Sequence, residues 1–241
     1  MVASASSVTL ADEFFPVAHP DRPQAACVLV LDTSQSMRGA RIQALRDGLR
    51  AYREFLQNDE EAKIIVETSV IGFSDAAEVL HPFSNIDDMA DIELTAGGWT
   101  SMGAALELAI ANIEERKQYY KDEGIDYYRP FLVVITDGAP TDLKSKVKMA
   151  AIQELVQGGA RERKFIPLFF GTGDANFDKL KQIVGDTGTV TGIDGARFGE
   201  FFQWLSRSVS SMKDSQPGDT IQFEDPTQAT SKNPNPFAFE V

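Results

Sequence analysis

Three short stretches of this chain carry hard oxygen donors at spacings that suit a metal ion. The first is Asp32-Thr33-Ser34-Gln35-Ser36, where one acid is followed by two alternating serine hydroxyls. The second is the loop Gly97-Gly98-Trp99-Thr100-Ser101-Met102-Gly103, and the third is Asp137-Gly138. Carboxylates and hydroxyls of low total charge suit Mg2+, which prefers octahedral oxygen coordination and keeps some of its waters. Two carboxylates balance a divalent charge, and hydroxyls add donors without adding charge. A carboxylate acting through a water leaves the ion electrophilic enough to accept one more anion, such as a carboxylate from another protein. Each fragment alone also has a structural reading. Ser34 or Ser36 would serve as a helix N-cap, and Asp137-Gly138 as an ordinary turn. The conjunction of all three, in order, favours the metal.

Such a site needs strands that end side by side. ACVLVLD (26–32) and FLVVITD (131–137) are continuous apolar runs, too short for helices and suited to strands buried on both faces, and each ends in an aspartate. Further strands are expected at 63–73, 77–83 (the weaker, near an edge), 165–171 and 188–192. Helical spacing marks 40–57, 101–120, 143–157 (stopped by Gly158-Gly159), 177–184 and 197–212. Alternating strands and helices imply an α/β fold: a doubly wound, mostly parallel central sheet flanked by helices on both faces. Ligands of such sheets bind beyond the carboxyl ends of the strands, where all three fragments are expected to lie. Residues 1–24 read as an irregular arm, 25–212 as one domain, and 213–241 as a flexible tail with apolar tips at Ile221, Phe223, Phe237 and Phe239.

Composition narrows the function classes. Of 241 residues, 36 are acidic and 23 basic, a net charge of −13. That balance argues against nucleic acid, which needs a basic surface to release counterions, and against an anionic membrane. No apolar run approaches the roughly 20 residues of a membrane helix. The start, MVASASSVTLADEFF, lacks the basic and apolar regions of a secretory signal, and a cytoplasmic location is expected. The single cysteine, Cys27, reads as a small buried hydrophobe. Catalysis finds little support. The two histidines, His19 and His81, each precede a proline, so Ser34 or Ser36 has no general base to activate it. An aspartyl-phosphate phosphatase would want a second acid where Ser34 stands. FGTGDANF (170–177) lacks the third glycine of a dinucleotide fingerprint. Trp99 and Met102 read equally well as core or as an apolar rim, and Trp204 reads as core.

Taken together, these motifs resemble the von Willebrand factor type A (VWA) domains, whose metal-ion-dependent adhesion site (MIDAS) uses Asp-x-Ser-x-Ser, a threonine and an aspartate. The matching residues are DTSQS (32–36), followed by Met37 and Gly39, then Thr100 in TSMGAAL, and Asp137 in ITDGAPTD. The resemblance implies that Ser34, Ser36 and Thr100 touch the metal directly, with Asp32 and Asp137 holding it through waters. Trp99 departs from the family pattern, and spacing to Gly103 and Leu106 favours Thr100 over Ser101 as the hydroxyl ligand. A closer resemblance is to the bacterial TerY-like branch, through GIDYYRP (124–130), VITDGAPTD (134–142) and FGEFFQWLSRSV (198–209). It implies a non-catalytic Mg2+-dependent (or Mn2+- or Ca2+-dependent) protein-binding module in a stress or tellurite-resistance system. The metal's open position would take an Asp or Glu of a partner, such as a PP2C-type phosphatase or a serine/threonine kinase. Met37, Gly98, Trp99, Ser101 and Gly138 are the expected rim. The alternatives are an adaptor for a MoxR-like AAA+ ATPase and, further off, a metal-dependent phosphatase.

Overall fold

The first apolar run forms strand β1 (Ala25–Asp32), all of it buried. Its side chains alternate between two cores. Cys27, Leu29 and Leu31 point into one, while Ala26, Val28 and Val30 point into the other. A strand covered on both faces needs no polar alternation, which is why its sequence reads as one unbroken hydrophobic run. The structure is a computed structural model and describes residues 15–173, 175–193, 198–222 and 238–240.

Five further strands join β1: β2 (Val66–Phe73), β3 (Ala77–Asn85), β4 (Phe131–Thr136), β5 (Ile166–Thr172) and β6 (Thr189–Ile193). Their spatial order is β3-β2-β1-β4-β5-β6. All pairings are parallel except that of β3, which runs antiparallel to β2 at one edge. Between β1 and β4 the winding reverses direction, and at such a switch point the loops diverge and leave a crevice. Asp32 ends β1, and Asp137 directly follows β4.

Helices α1 (Ala40–Gln57) and α6 (Phe198–Ser210) cover one face of the sheet, with the single turn α2 (Ala62–Ile65) beside them. Helices α3 (Met102–Asp122), α4 (Lys146–Arg161) and α5 (Phe177–Val184) cover the other. The α1–α6 crossing depends on Gly48, because a Cβ there would stand 2.6 Å from Cδ2 of Phe202. Trp204 packs against Phe170 and Phe201 and is core, as expected. Burial pushes the Cys27 thiol up to about 12, which makes it an inert packing residue.

The structure corrects three sequence expectations. β2 begins at Val66, since Asp59 Oδ1 accepts the N–H groups of Glu61 (3.2 Å) and Ala62 (3.1 Å) and holds the chain in a helical turn there. Helix α4 runs through Gly158-Gly159 and ends at Arg161. Gly159 is demanded by packing: a Cβ there would meet the Phe165 ring at 2.5 Å. Finally, the expected tail contains a short hairpin pairing: β7 (Thr220–Gln222) runs antiparallel to β8 (Ala238–Glu240). The apolar tips Phe223 and Phe237, like residues 1–14, lie outside the described residues.

Candidate metal centre

Where β1 ends, the chain turns through a 3-10 helix, Gln35–Met37, before α1. Thr33 fixes that exit by giving both its N–H (2.8 Å) and its hydroxyl (3.0 Å) to the carbonyl of Phe73 at the end of β2. Asp32 is wholly buried. Its Oδ1 accepts the N–H of Ser34 (2.8 Å), and its Oδ2 accepts the hydroxyl of Thr136 on the neighbouring strand (2.5 Å). Asp32 forms no ion pair among the described residues. Burial holds its carboxyl above the ordinary carboxylate range, against the pull of the Ser34 and Thr136 donors, and the charge of Asp137 adds repulsion.

Asp137, equally buried, is reached from the other side. Ser36 Oγ donates to its Oδ1 (2.5 Å), and Arg41 Nη1 donates to its Oδ2 (2.7 Å). The hydroxyls of Ser34 and Ser36 lie 3.0 Å apart. Neither hydroxyl caps a helix: Ser34 is the N-cap residue of the 3-10 turn, but its side chain makes no cap bond. Thr100 is buried at the start of α3, and the loop after β4 fixes it. Its N–H donates to Thr141 Oγ1 (3.1 Å), and its carbonyl accepts the Thr141 N–H (2.9 Å). Asp142 completes the brace by accepting the N–H groups of Gly103 (3.2 Å) and Ala104 (3.1 Å), two free donors at the start of α3.

Gly138 supplies the room between these groups. A Cβ there would stand 3.3 Å from Thr100 Oγ1 and 3.8 Å from Asp32 Oδ2. The five expected donors, Asp32, Ser34, Ser36, Thr100 and Asp137, therefore converge on one concavity. They also fit a hard divalent ion. Two ligand oxygens at right angles, each about 2.1 Å from the ion, are about 3.0 Å apart, and the two serine oxygens already show that separation. Among the described residues, no three His, Cys, Asp or Glu side chains gather anywhere, so the donor set is one of hydroxyls and two acids. That is Mg2+-like chemistry rather than a thiolate or imidazole cage.

Around the concavity runs a groove of about 370 Å3 lined by Ser34, Gln35, Ser36, Gly98, Trp99 and Thr100. Trp99 is 71% exposed. Its loop is nonetheless pinned, with Gly97 N–H on the Thr33 carbonyl (2.8 Å), Gln35 N–H on the Gly98 carbonyl (3.1 Å) and Trp99 N–H on Asp75 Oδ1 (2.8 Å). Gly98 has φ +70°, and a Cβ on it would strike the Asp75 carboxylate. Ser101 faces the same brace, giving its hydroxyl to the Asp75 carbonyl (2.9 Å). Of the expected rim, Gly98, Trp99, Ser101 and Gly138 lie at or beside the groove. Met37 does not: it is fully buried in the core under α1 and is no rim residue. Met102 is buried as well.

Sequence reasoning missed the residues that hold the donors: Thr136, Arg41, Asp75, Thr141 and Asp142. Thr141 and Asp142 stand inside the VITDGAPTD block, which is the signal that could have found them. His81 lies on edge strand β3 with Nε2 bonded to Ser84 (2.6 Å), so it is built into that edge.

The VWA domain family matches this chain over residues 27–203. No curated protein sequence matches it. Among solved structures, a von Willebrand factor type A protein from Catenulispora acidiphila superposes with a TM-score of 0.62 at 19% identity, covering 78% of this chain and 43% of its own. Proximal thread matrix protein 1 from the mussel byssus, described with a zinc-occupied MIDAS motif, gives 0.55 at 16%, covering 78% and 48%. BatB from Bacteroides thetaiotaomicron gives 0.53 at 17%, covering 79% of this chain and all of its own. The chain thus spans less than half the length of the first two. No helix among the described residues is long and apolar enough to cross a membrane.

Proposed function

Because the chain belongs to the von Willebrand factor type A family, we propose that it is a divalent-metal-dependent protein-binding module whose MIDAS captures an acidic side chain of a partner. The observation that carries this reading is the convergence of two buried acids and three hydroxyls at the β1–β4 switch point, beneath a groove open to solvent. As the family resemblance implies, Ser34, Ser36 and Thr100 would hold the ion directly, and Asp32 and Asp137 would hold it through water. When bound, the metal would supply a positive charge able to attract an anion. Mg2+ is favoured by the hard oxygen set, and the mussel relative with zinc in its MIDAS supports a divalent ion in this place.

The remaining work falls to the chain's own side chains. Thr136 and the Ser34 N–H orient Asp32, Thr141 and Asp142 set the depth of Thr100, and Asp75 holds Trp99 at the rim. The indole is a rigid aromatic contact beside the capture point, the kind of residue that anchors interfaces. The role is binding without catalysis, in keeping with the engagement of His81 at the far edge of the sheet. We place the chain nearest the TerY-like branch, on the GIDYYRP, VITDGAPTD and FGEFFQWLSRSV blocks, with a PP2C-type phosphatase or a serine/threonine kinase as partner in the cytoplasm. Co-purification from the native host, with and without EDTA and with Asp32→Ala, tests the reading. The partner should leave in EDTA and fail to bind the variant; capture unchanged under both conditions sinks the metal bridge.

A further inference from the structure

One cationic side chain already stands in this site. Arg41, second residue of α1, donates Nη1 to Asp137 Oδ2 (2.7 Å) and to the Ser36 carbonyl (3.3 Å), and its side chain is 38% exposed. Its position is unusual on electrostatic grounds. The first turn of a helix carries the positive end of the macrodipole and disfavours a cation there. The contact with a buried acid compensates, and it lies 96 residues away in sequence. Asp137 has two oxygens, one taken by Ser36 and the other by this guanidinium.

We propose that Arg41 is a fixed third charge of the metal site, competing with the metal at Asp137 and leaving the loaded site net positive. The inference rests on the metal-binding reading above. With Asp32 and Asp137 ionised, the two acids contribute −2 and Arg41 +1, so the empty site carries −1. A divalent ion brings it to +1. Without Arg41 the same site would go from −2 to neutral, binding metal more tightly and an anion less well. Arginine is suited to the role because its guanidinium does not lose its proton, and it meets the carboxylate through Nη1 alone. The consequence is that neither metal nor acid is held firmly alone, and the two are retained together.

The test is a graded charge series, R41K, R41Q and R41E, with Mn2+ affinity measured by calorimetry and the melting temperature measured in EDTA. R41K should match wild type within about twofold. R41Q should bind Mn2+ at least fivefold more tightly and R41E more tightly again, while both melt lower than wild type in EDTA because Asp137 has lost its cationic partner and keeps only the Ser36 hydroxyl. A residue with a purely structural role would lower metal affinity and melting temperature together, and that result, or a flat series, overturns the proposal. If wild type itself takes up no Mn2+, the metal-binding reading fails instead, whatever the series shows.

Discussion

Replacing Glu67 by glutamine should unfold this protein far more readily while leaving the proposed metal site unchanged. Glu67 lies near the start of β2, wholly buried beside a wholly buried Arg116 on α3. Arg116 Nε donates to Glu67 Oε2 (2.9 Å), Nη2 donates to Oε1, and Tyr120 Oη also donates to Oε2. The guanidinium sits 4.9 Å from the ring centroid of Tyr119, and its Nη1 donates to the Phe15 carbonyl (2.8 Å). Glutamine keeps the shape but offers one oxygen, and its amide N–H2 would face the N–H groups of Arg116. A buried cation then stands without a counter-ion, a defect that costs about 3–5 kcal/mol. For a domain of this size each kcal/mol moves the melting point by about 2–4 °C, so a fall of roughly 6–20 °C is expected. Urea unfolding followed by circular dichroism gives the free energy directly. The companion variant, Glu67→Leu with Arg116→Met, removes both charges and should lie much nearer wild type. Mn2+ affinity of folded Glu67→Gln should stay within twofold, because Glu67 stands six residues along β2 from Phe73, about 20 Å from the site end. A loss under about 1 kcal/mol, or a double variant as unstable as the single, would refute the reasoning about the buried pair.

The site itself gives four more tests. Burial raises Asp32 in the folded state, so its contribution to metal-free stability is full below the ordinary carboxylate value and is lost as pH rises through the raised one. Metal must displace that proton, so calorimetric affinity should weaken up to tenfold per pH unit below the raised value, and Asp32→Asn should flatten the profile. Gly138→Ala puts a methyl group 3.3 Å from Thr100 Oγ1 with no backbone clash, so metal affinity should fall at least tenfold while the melting point moves only a few degrees. Asp142→Ala frees the N–H groups of Gly103 and Ala104 and should cost about 1–2 kcal/mol in urea unfolding, with metal affinity falling as Thr100 loosens. Trp99→Ala should weaken partner capture tenfold or more in a pull-down titration yet leave the Mn2+ dissociation constant within twofold; equal losses in both would make the indole part of the metal site instead.

The braces around the donors explain why a loop-built site need not be loose. Each donor segment is tied to a neighbour: Thr33 to Phe73 at the end of β2, Asp32 to Thr136 at the end of β4, and Thr100 to Thr141 in the loop after β4. Preorganisation of this kind lowers the ordering cost of ligand capture. It also leaves the exposed indole of Trp99 on a backbone that is fixed at Gly97, Gly98 and Trp99 itself.

By itself the sequence determined the layers and singled out the oxygen-bearing side chains at the strand ends. ACVLVLD and FLVVITD announce doubly covered strands because burial on both faces leaves the run almost wholly apolar, and each ends in an acid that is itself buried. Asp32, Ser34 and Ser36 are legible together because their geometry is set within five residues of chain. Only the tertiary structure decided what surrounds them. Met37 follows the motif yet turns into the core, while Trp99, which reads equally well as core or rim, faces solvent. The two glycines after Val156 read as a helix stop, but the helix runs through them and Gly159 is there to admit Phe165. Arg41 looks like one more surface charge until β1 and β4 lie side by side and bring Asp137 against it. Local pattern fixes which face of an element is apolar. Which side chains meet across elements depends on strand order and register, and a one-dimensional pattern does not carry that information.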